Sequence, residues 1–356
     1  MKTRILEVGP DLKKSSGGMR SVIRQICENQ KLRTEFDISA FGSFRDGNKI
    51  SRFVFCVSAY LKFLWIIRKY DIIHVHMTSG MSAFRKAFYI NTAKLSGKKV
   101  IVSLHCCEYF TEEWKKRSSF YQKYVRRALQ KADRILLLAK RYQPEFERLT
   151  GVNGTIVLPN SIAVSDYPEG KKEGVPSILF LGKVRKSKGA DTLLAAARDL
   201  AVVYHDRPDI LFAGSGSIAF YKAMVMQYHL PNIRFTDRWV SPEEIKKLLQ
   251  LFWILVLPSE HEGFPVSILE ACASSMAIVA TNVGAVPEMI REHVINAGDS
   301  KALCETLHLL IHDPGRCRKE GKENRKRVTD LFSEDIVMNQ LAAIYEKLTE
   351  IERKSD

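Results

Sequence analysis

Neither Asp-x-Asp nor Cys-x-x-Cys occurs anywhere in these 356 residues. The first absence removes the aspartate motif that would suggest a catalytic metal. The second, with only seven scattered cysteines, excludes a zinc ribbon or a disulfide framework. A reducing, cytoplasmic compartment is therefore expected. The adjacent Cys106 and Cys107 follow an apolar strand and are read as packing thiols rather than a reactive pair. Long apolar runs are missing too: the start, MKTRILEVGP, sets Glu7, Gly9 and Pro10 where a secretory signal needs its apolar core. The most apolar stretch, Phe53 to Ile67, is interrupted by Lys62 and falls short of the roughly 20 residues of a spanning helix. Acidic residues are sparse in one half only. Residues 1–165 hold 30 Lys and Arg against 13 Asp and Glu, a net +17, while the remainder is −2. That asymmetry points to a polyanionic partner for the first half: nucleic acid, an anionic membrane surface or a phosphate-bearing acceptor.

What is present is a rhythm. RILEVG is followed by a Gly-Gly turn and the periodic segment SVIRQICENQ, and DIIHVH, KKVIVSLH and DRILLLA then alternate with helical stretches. This is the βαβ pattern of a parallel, doubly wound sheet. Residues 167–176, YPEGKKEGVP, are rich in proline, glycine and charge and read as a linker. After it the rhythm restarts with SILFLG, DILFAG, IRFTD, ILVLP and AIVAT, with a helix from Pro242 to Leu251 among them. The length suits two domains. The expected organisation is an N-terminal Rossmann-like domain over 1–166, the linker over 167–176, and a C-terminal Rossmann-like domain over 177–332. A terminal helix within 333–356 would pack back toward the first domain. Ligands of such sheets bind beyond the carboxyl ends of the strands, so two domains would face a deep interdomain cleft.

The densest motif is PSEHEGFPVSILEACASSMAIVATNVGAVPEMI, residues 258–290. A buried strand ends at Leu257, a loop carries Glu262, Gly263, Phe264 and Pro265, and a helix opening near Val266 carries Glu270 in its first turns. A helix start offers amides and a positive dipole end to a diphosphate. Carboxylates beside it can accept bidentately from the vicinal hydroxyls of a sugar and a ribose.

This segment resembles the signature of the family-4 retaining glycosyltransferases of the GT-B fold. The resemblance rests on Glu262, Gly263, Phe264, Glu270, Gly284 and Glu288. It extends over nearly the whole chain through Gly17-Gly18, His74-x-His76, His105, Pro159-Asn160, Gly182 to Gly189, Gly214 to Gly216 and Pro258-Ser259. It implies an α/β GT-B fold and a metal-independent transfer of a hexosyl or N-acetylhexosaminyl group from a UDP- or GDP-linked donor. The acceptor would be a glycan or lipid-linked oligosaccharide in surface polysaccharide synthesis. Glu262 would hold the transferred sugar and Glu270 the ribose. Lys183 and Lys188 would sit on the diphosphate and His105 beside the sugar. Donor contacts would come from Gly17, Gly18, Gly182, Gly214, Gly216, Gly263, Phe264, Val266 and Ser267. No cofactor beyond the donor is implied. Three departures stand out. Lys183 replaces an arginine, with Arg185 nearby as a substitute; Pro265 has no amide hydrogen; and the loop after Glu288 is short.

The helix KKRSSFYQKYVRRALQKADR, residues 115–134, sets Phe120, Tyr121, Tyr124, Val125, Ala128 and Leu129 in an apolar stripe. Lys116, Lys123, Arg126, Arg127 and Lys131 fall nearer the other face. Attachment at the inner face of the plasma membrane through this helix is expected, and nucleic acid is not, since no binding module appears. Two rivals are weighed. A dehydrogenase would use Gly214-Ser215-Gly216 with Asp237 about 20 residues on. A non-catalytic nucleotide-sugar-binding subunit would keep the fold without turnover.

Overall fold

The computed structural model describes residues 2–15, 17–105, 107–170 and 172–353, with the side chains of 107–109 and 351–353 outside that description. The reading of Cys106 and Cys107 therefore falls on side chains outside the described residues. Two units form: Met1–Asn160 together with the segment from Asp335 onward, and Ser161–Glu334.

In the first unit the strands are β1 (Thr3–Pro10), β2 (Phe36–Phe44), β3 (Ile72–Met77), β4 (Lys99–Leu104), β5 (Arg134–Leu137) and β6 (Ile156–Val157). Between them lie α1 (Gly18–Glu28), α2 (Gln30–Glu35), α3 (Lys49–Ile66), α4 (Gly80–Leu95), α5 (Cys107–Lys116), α6 (Ser119–Lys131) and α7 (Gln143–Thr150). All six strands are parallel, in the order β2-β1-β3-β4-β5-β6. The chain leaves β1 toward one edge and returns to the other side at β3, so the switch point lies between β1 and β3.

The second unit repeats the plan. Its strands are β7 (Ile178–Leu181), β8 (Ile210–Ala213), β9 (Ile233–Phe235), β10 (Ile254–Leu257), β11 (Ala277–Thr281) and β12 (Val294–Ile295). Its helices are α8 (Ala190–Val203), α9 (Ile218–Gln227), α10 (Pro242–Leu251), α11 (Val266–Ala273), α12 (Val286–Met289), α13 (Ser300–Ile311) and α14 (Pro314–Phe332). The order β12-β11-β10-β7-β8-β9, again parallel, puts the switch point between β7 and β10. The last helix, α15 (Glu334–Arg353), belongs to the first unit from Asp335.

The central strands β3, β7, β8, β10 and β11 are buried end to end because helices cover both faces of a parallel sheet, whereas the edge strands β2, β6, β9 and β12 are only partly buried. In the second unit Leu193, Leu194 and Leu200 of α8 and Leu303, Leu307 and Leu310 of α13 close over Ile178, Phe180, Ile210, Phe212, Ile254 and Val256. In the first unit α15 supplies Val337, Leu341, Tyr345 and Leu348 against Ile5, Ile72, Ile101 and Leu136. Each such side chain contributes about 1.5–3 kcal/mol on burial.

Two expectations are corrected. The units divide at Asn160 and Ser161 rather than after residue 166, and 167–176 is not a free tether. It is stapled along the second unit: Lys172 Nζ donates to the carbonyls of Ser274 and Ser275, Trp253 Nε1 to Glu173 at 3.3 Å, and Arg325 to Tyr167 at 2.6 Å. Hydrogen bonds, invisible to composition, hold this polar segment down. The second correction concerns the basic helix. α6 buries Tyr121, Val125, Ala128 and Leu129 in the unit's core, and the Tyr121 hydroxyl donates to the Gly80 carbonyl at 2.9 Å. Four residues of its apolar stripe are thus spent on packing, while Phe120 stays exposed and Tyr124 half-buried.

Candidate active site

The carboxyl ends of β7 and β10, flanking the second switch point, open into a cavity of about 420 Å³ lined by Gly182, Lys183, Lys188, Gly214, Glu262, Val266, Ser267 and Glu270. Eight of the sequence-predicted residues thus meet in one place, where an open α/β sheet binds its ligand. Ser215, Pro265, Trp239, Val240 and Ile245 complete the walls. Arg185 is not among the lining residues, so Lys183 rather than its neighbour faces the cavity.

The chemistry centres on one ion pair. Lys188 Nζ donates to Glu262 Oε1 at 2.6 Å, and Ser259 Oγ donates to the same oxygen at 2.7 Å. Thr281 Oγ1 in turn donates to the Ser259 carbonyl at 2.6 Å, which fixes the loop to β11. A cation and a carboxylate are thereby held ready, each with capacity left for a ligand. Just beyond, α11 begins at Val266 with no side chain capping its amides, because Pro265 stands at the N-cap. Glu270 lies on its second turn, where the Tyr167 hydroxyl donates to Oε1 at 3.0 Å. Burial pushes the Glu270 carboxyl up to about 7, against the opposing pull of the Tyr167 hydrogen bond and the more distant Lys246 charge.

The remaining predicted residues of this half serve the walls. Gly216 is outside the lining; a Cβ there would lie 2.2 Å from the Val184 carbonyl oxygen, and Gly214 meets Gly182 at 2.0 Å in the same way. These glycines let two strand-end loops touch, an arrangement with no use for a dinucleotide. Phe264 is buried edge-on against Phe332, ring centroids 5.6 Å apart, and the Gly263 carbonyl accepts from Ala285 N at 2.9 Å. Gly284, at φ 54°, lies under this loop, where a Cβ would come 2.1 Å from the Glu262 carbonyl oxygen. Gly284→Ala is expected to cost about 1–3 kcal/mol and to weaken donor binding at the same time, because it displaces Glu262. Chemical denaturation and donor titration check this; unchanged values in both would show that the loop is not pinned there.

In the first unit, Gly17 (φ 106°) is the N-cap of α1 and Gly18 its first residue, with open space where each Cβ would project. His105 follows β4, and its Nε2 lies 2.9 Å from His76 Nδ1. His76 Nε2 is 2.5 Å from Glu7 Oε2, and Glu7 also accepts from the Tyr345 hydroxyl at 2.7 Å and contacts His74 Nδ1 at 3.2 Å. With Glu7 as acceptor, the network places the His76 proton on Nε2 and the shared His105 proton on Nε2. That leaves His105 Nδ1 as a bare acceptor. Burial lowers His76 to about 4 and, with the adjacent His76, carries His105 well below its ordinary value, so both rings are neutral near pH 7. His74 and His76 are therefore partnered interior histidines that position His105.

Two side-chain groups among the described residues have metal-ligand chemistry. Glu7, His74 and His76 are buried and spend their nitrogens on the hydrogen bonds above. Asp206, His308 and His312 lie after α8 and at the end of α13, and none of them lines the cavity. Sequence reasoning passed over Ser259 as a partner and placed Tyr167 in a linker; Tyr167 reaches Glu270 across 103 positions, and no local signal announces it.

The family model described as glycosyl transferases group 1 matches residues 164–327, and that described as glycosyltransferase family 4 matches residues 26–166. The chain is 24% identical over 313 residues to the O-antigen chain mannosyltransferase C of Escherichia coli, covering 83% of this chain and 80% of that one. Of three other curated relatives it spans only 48%, 31% and 62% of the length. Among solved structures, a sucrose-phosphate synthase from Thermosynechococcus elongatus superposes with a TM-score of 0.82 at 17% identity, covering 98% of this chain and 100% of that one. Anabaena HepE in complex with UDP superposes with a TM-score of 0.75 at 13% identity, covering 98% and 100%. These likenesses establish the GT-B fold.

Proposed function

We propose that this chain, whose two halves match the glycosyltransferase models, moves a hexosyl or N-acetylhexosaminyl group, with retention, from a UDP- or GDP-linked sugar to a glycan or lipid-linked acceptor in surface polysaccharide synthesis. The observation that carries the reading is the Lys188–Glu262 pair at the mouth of the cavity, with Glu270 one helix turn beyond. In the transfer, the bond from the anomeric carbon to the diphosphate oxygen breaks. The acceptor oxygen bonds that carbon on the same face, and the acceptor proton passes to the departing diphosphate. Negative charge develops on the leaving oxygen, where Lys188, held by its pair with Glu262, Lys183 and the uncapped amides of α11 offer it positive partners. Glu262 accepts from hydroxyls of the sugar. The exposed ring of Trp239, with Val240 and Ile245, supplies an apolar surface for the base.

A thermal-shift screen of nucleotides and sugar nucleotides tests this, since a ligand of the folded state raises its stability with the logarithm of occupancy. A shift with a sugar nucleotide, followed by transfer to an added glycan, supports the reading. A shift without transfer would mark a binding subunit, and a shift only with a nicotinamide dinucleotide would overturn the assignment. A pH dependence follows from Glu270. Below about 7 its carboxyl is protonated and loses acceptor capacity, so affinity for the fully ionised diphosphate donor should rise as pH passes from 6 to 8. Glu270→Gln should flatten that profile as well as weaken binding; a profile that survives the substitution would place the titration elsewhere.

A further inference from the structure

α3 is amphipathic in the wrong sense for a helix that only packs. Ala59, Phe63 and Ile67, four residues apart, face the unit's interior, and the Phe63 ring lies tilted against Tyr89 with centroids 4.7 Å apart. On the opposite side Phe53, Val54, Val57, Leu61, Leu64 and Trp65 stand in solvent, with Trp65 77% and Phe53 70% exposed. Between α3 and α4 runs a groove of about 680 Å³ walled by Phe53, Val57, Leu61, Met81, Phe84 and Phe88. Its lining includes Lys49, Arg52 and Arg85, and the Arg85 Nε and the Tyr89 hydroxyl are buried there without a hydrogen-bond partner. From Gly47 to Cys107 the sequence holds one acidic residue, Asp71, against Lys49, Arg52, Lys62, Arg68 and Lys69 of α3 and its C-terminal end.

We propose that this face is a lipid-docking site: α3 lies in the surface of an anionic bilayer with its outer side in the acyl region, and the groove takes one chain of an anionic phospholipid whose phosphate meets Arg85. Contiguous apolar surface of this kind marks an interaction site. The ring of cations selects an anionic lipid surface over a neutral protein partner, and Trp65, with Lys69 Nζ 5.7 Å from its ring, suits the headgroup level. By length and composition Lys49–Lys69 could also cross a membrane. Crossing would pull Ala59, Phe63 and Ile67 out of the core, so the helix lies on the surface rather than through it. The proposal deepens the reading of the chain as a transferase, because it sets the first unit beside lipid-linked acceptors.

The test is flotation of the full chain with vesicles of phosphatidylcholine alone and of phosphatidylcholine with phosphatidylglycerol. Binding to the anionic vesicles, weakened by salt and much lower on neutral ones, is expected. The variant Phe53→Ser/Leu61→Ser/Trp65→Ser should partition about tenfold or more weakly. The three positions are exposed, and an unchanged sugar-nucleotide shift and unchanged transfer to a soluble glycan would show that the variant is folded. Independently, the unsubstituted protein should show a blue-shifted tryptophan emission on anionic vesicles that Trp65→Phe removes. Equal binding by the triple variant overturns the proposal. So does a parent that ignores vesicles while sedimenting as a dimer that the triple variant abolishes, since a second copy would then cover the face. If no sugar nucleotide binds but vesicles do, the transferase reading fails and the docking site stands.

Discussion

Lys188→Ala should lower turnover about 10²–10³-fold at saturating donor, the loss expected when one preorganised charge-stabilising group is removed. Lys188 is the cation whose ammonium is already oriented, 2.6 Å from Glu262 and inside the cavity wall. Its removal also frees Glu262 from the contact that fixes its rotamer, so the sugar-holding carboxylate loses position as well. Glu262→Ala should likewise reduce turnover more than donor affinity, because its contact strengthens as the sugar detaches. Arg185→Ala is the internal comparison: it adjoins the loop without lining the cavity and should cost several-fold at most. A larger loss from Arg185 than from Lys188 would mean that the loop rearranges when donor binds.

The first unit offers the largest effect on stability. Glu7→Ala is expected to cost about 3–5 kcal/mol, because it strips two buried histidines and a buried tyrosine hydroxyl of their shared acceptor. A fall in the melting temperature of the order of ten degrees would follow. A change within one or two degrees would show that the network contributes little. The same residues give the unit an acid limit. Burial alone would raise the Glu7 carboxyl; the pull of His74 and the hydrogen bonds of His74 and His76 outweigh it and hold Glu7 well below the usual carboxylate range. Its contribution is present above the unfolded carboxylate value and lost as pH falls beneath it. His76 folds with a value near 4 against an ordinary 6.5, so between those values the unfolded state takes up the proton and the folded state does not. Stability of this unit therefore declines from about pH 6.5 downward. Glu270 acts in the other direction in the second unit: its raised value favours the protonated form, a contribution lost as pH rises through about 7.

The second unit's site was readable because its residues are local. Glu262 and Glu270 flank a single strand-to-helix junction, and the spacing of strand, loop and helix start appears directly in the order of residues. Partners from elsewhere were not readable. Glu7 looks like a charge interrupting an apolar strand until Tyr345 arrives from the last helix. β2 escaped notice because Asp37, Ser39, Gly42 and Ser43 break its apolar run, as suits an edge strand. α3 and α6 show the reverse failure. Both have an apolar stripe in sequence, but only the packing of α4 against α6 decides which stripe is spent inside and which is left out.

The return of α15 to the first unit has a consequence for biosynthesis. Residues 1–160 leave the ribosome before residues 161–334, yet the seat of Tyr345, Leu341 and Leu348 in their core stays empty until α15 is translated. At roughly 5–20 residues per second that interval is about 10–35 s, during which the whole second unit is made and can close by itself. The half born first is thus the half finished last, and the uncovered β1, β3 and β4 face is the surface a nascent-chain chaperone would have to shield. Stalled chains ending before residue 335 should accordingly lose their N-terminal part to protease while the 161–334 part resists, and equal resistance of both would refute this order of assembly.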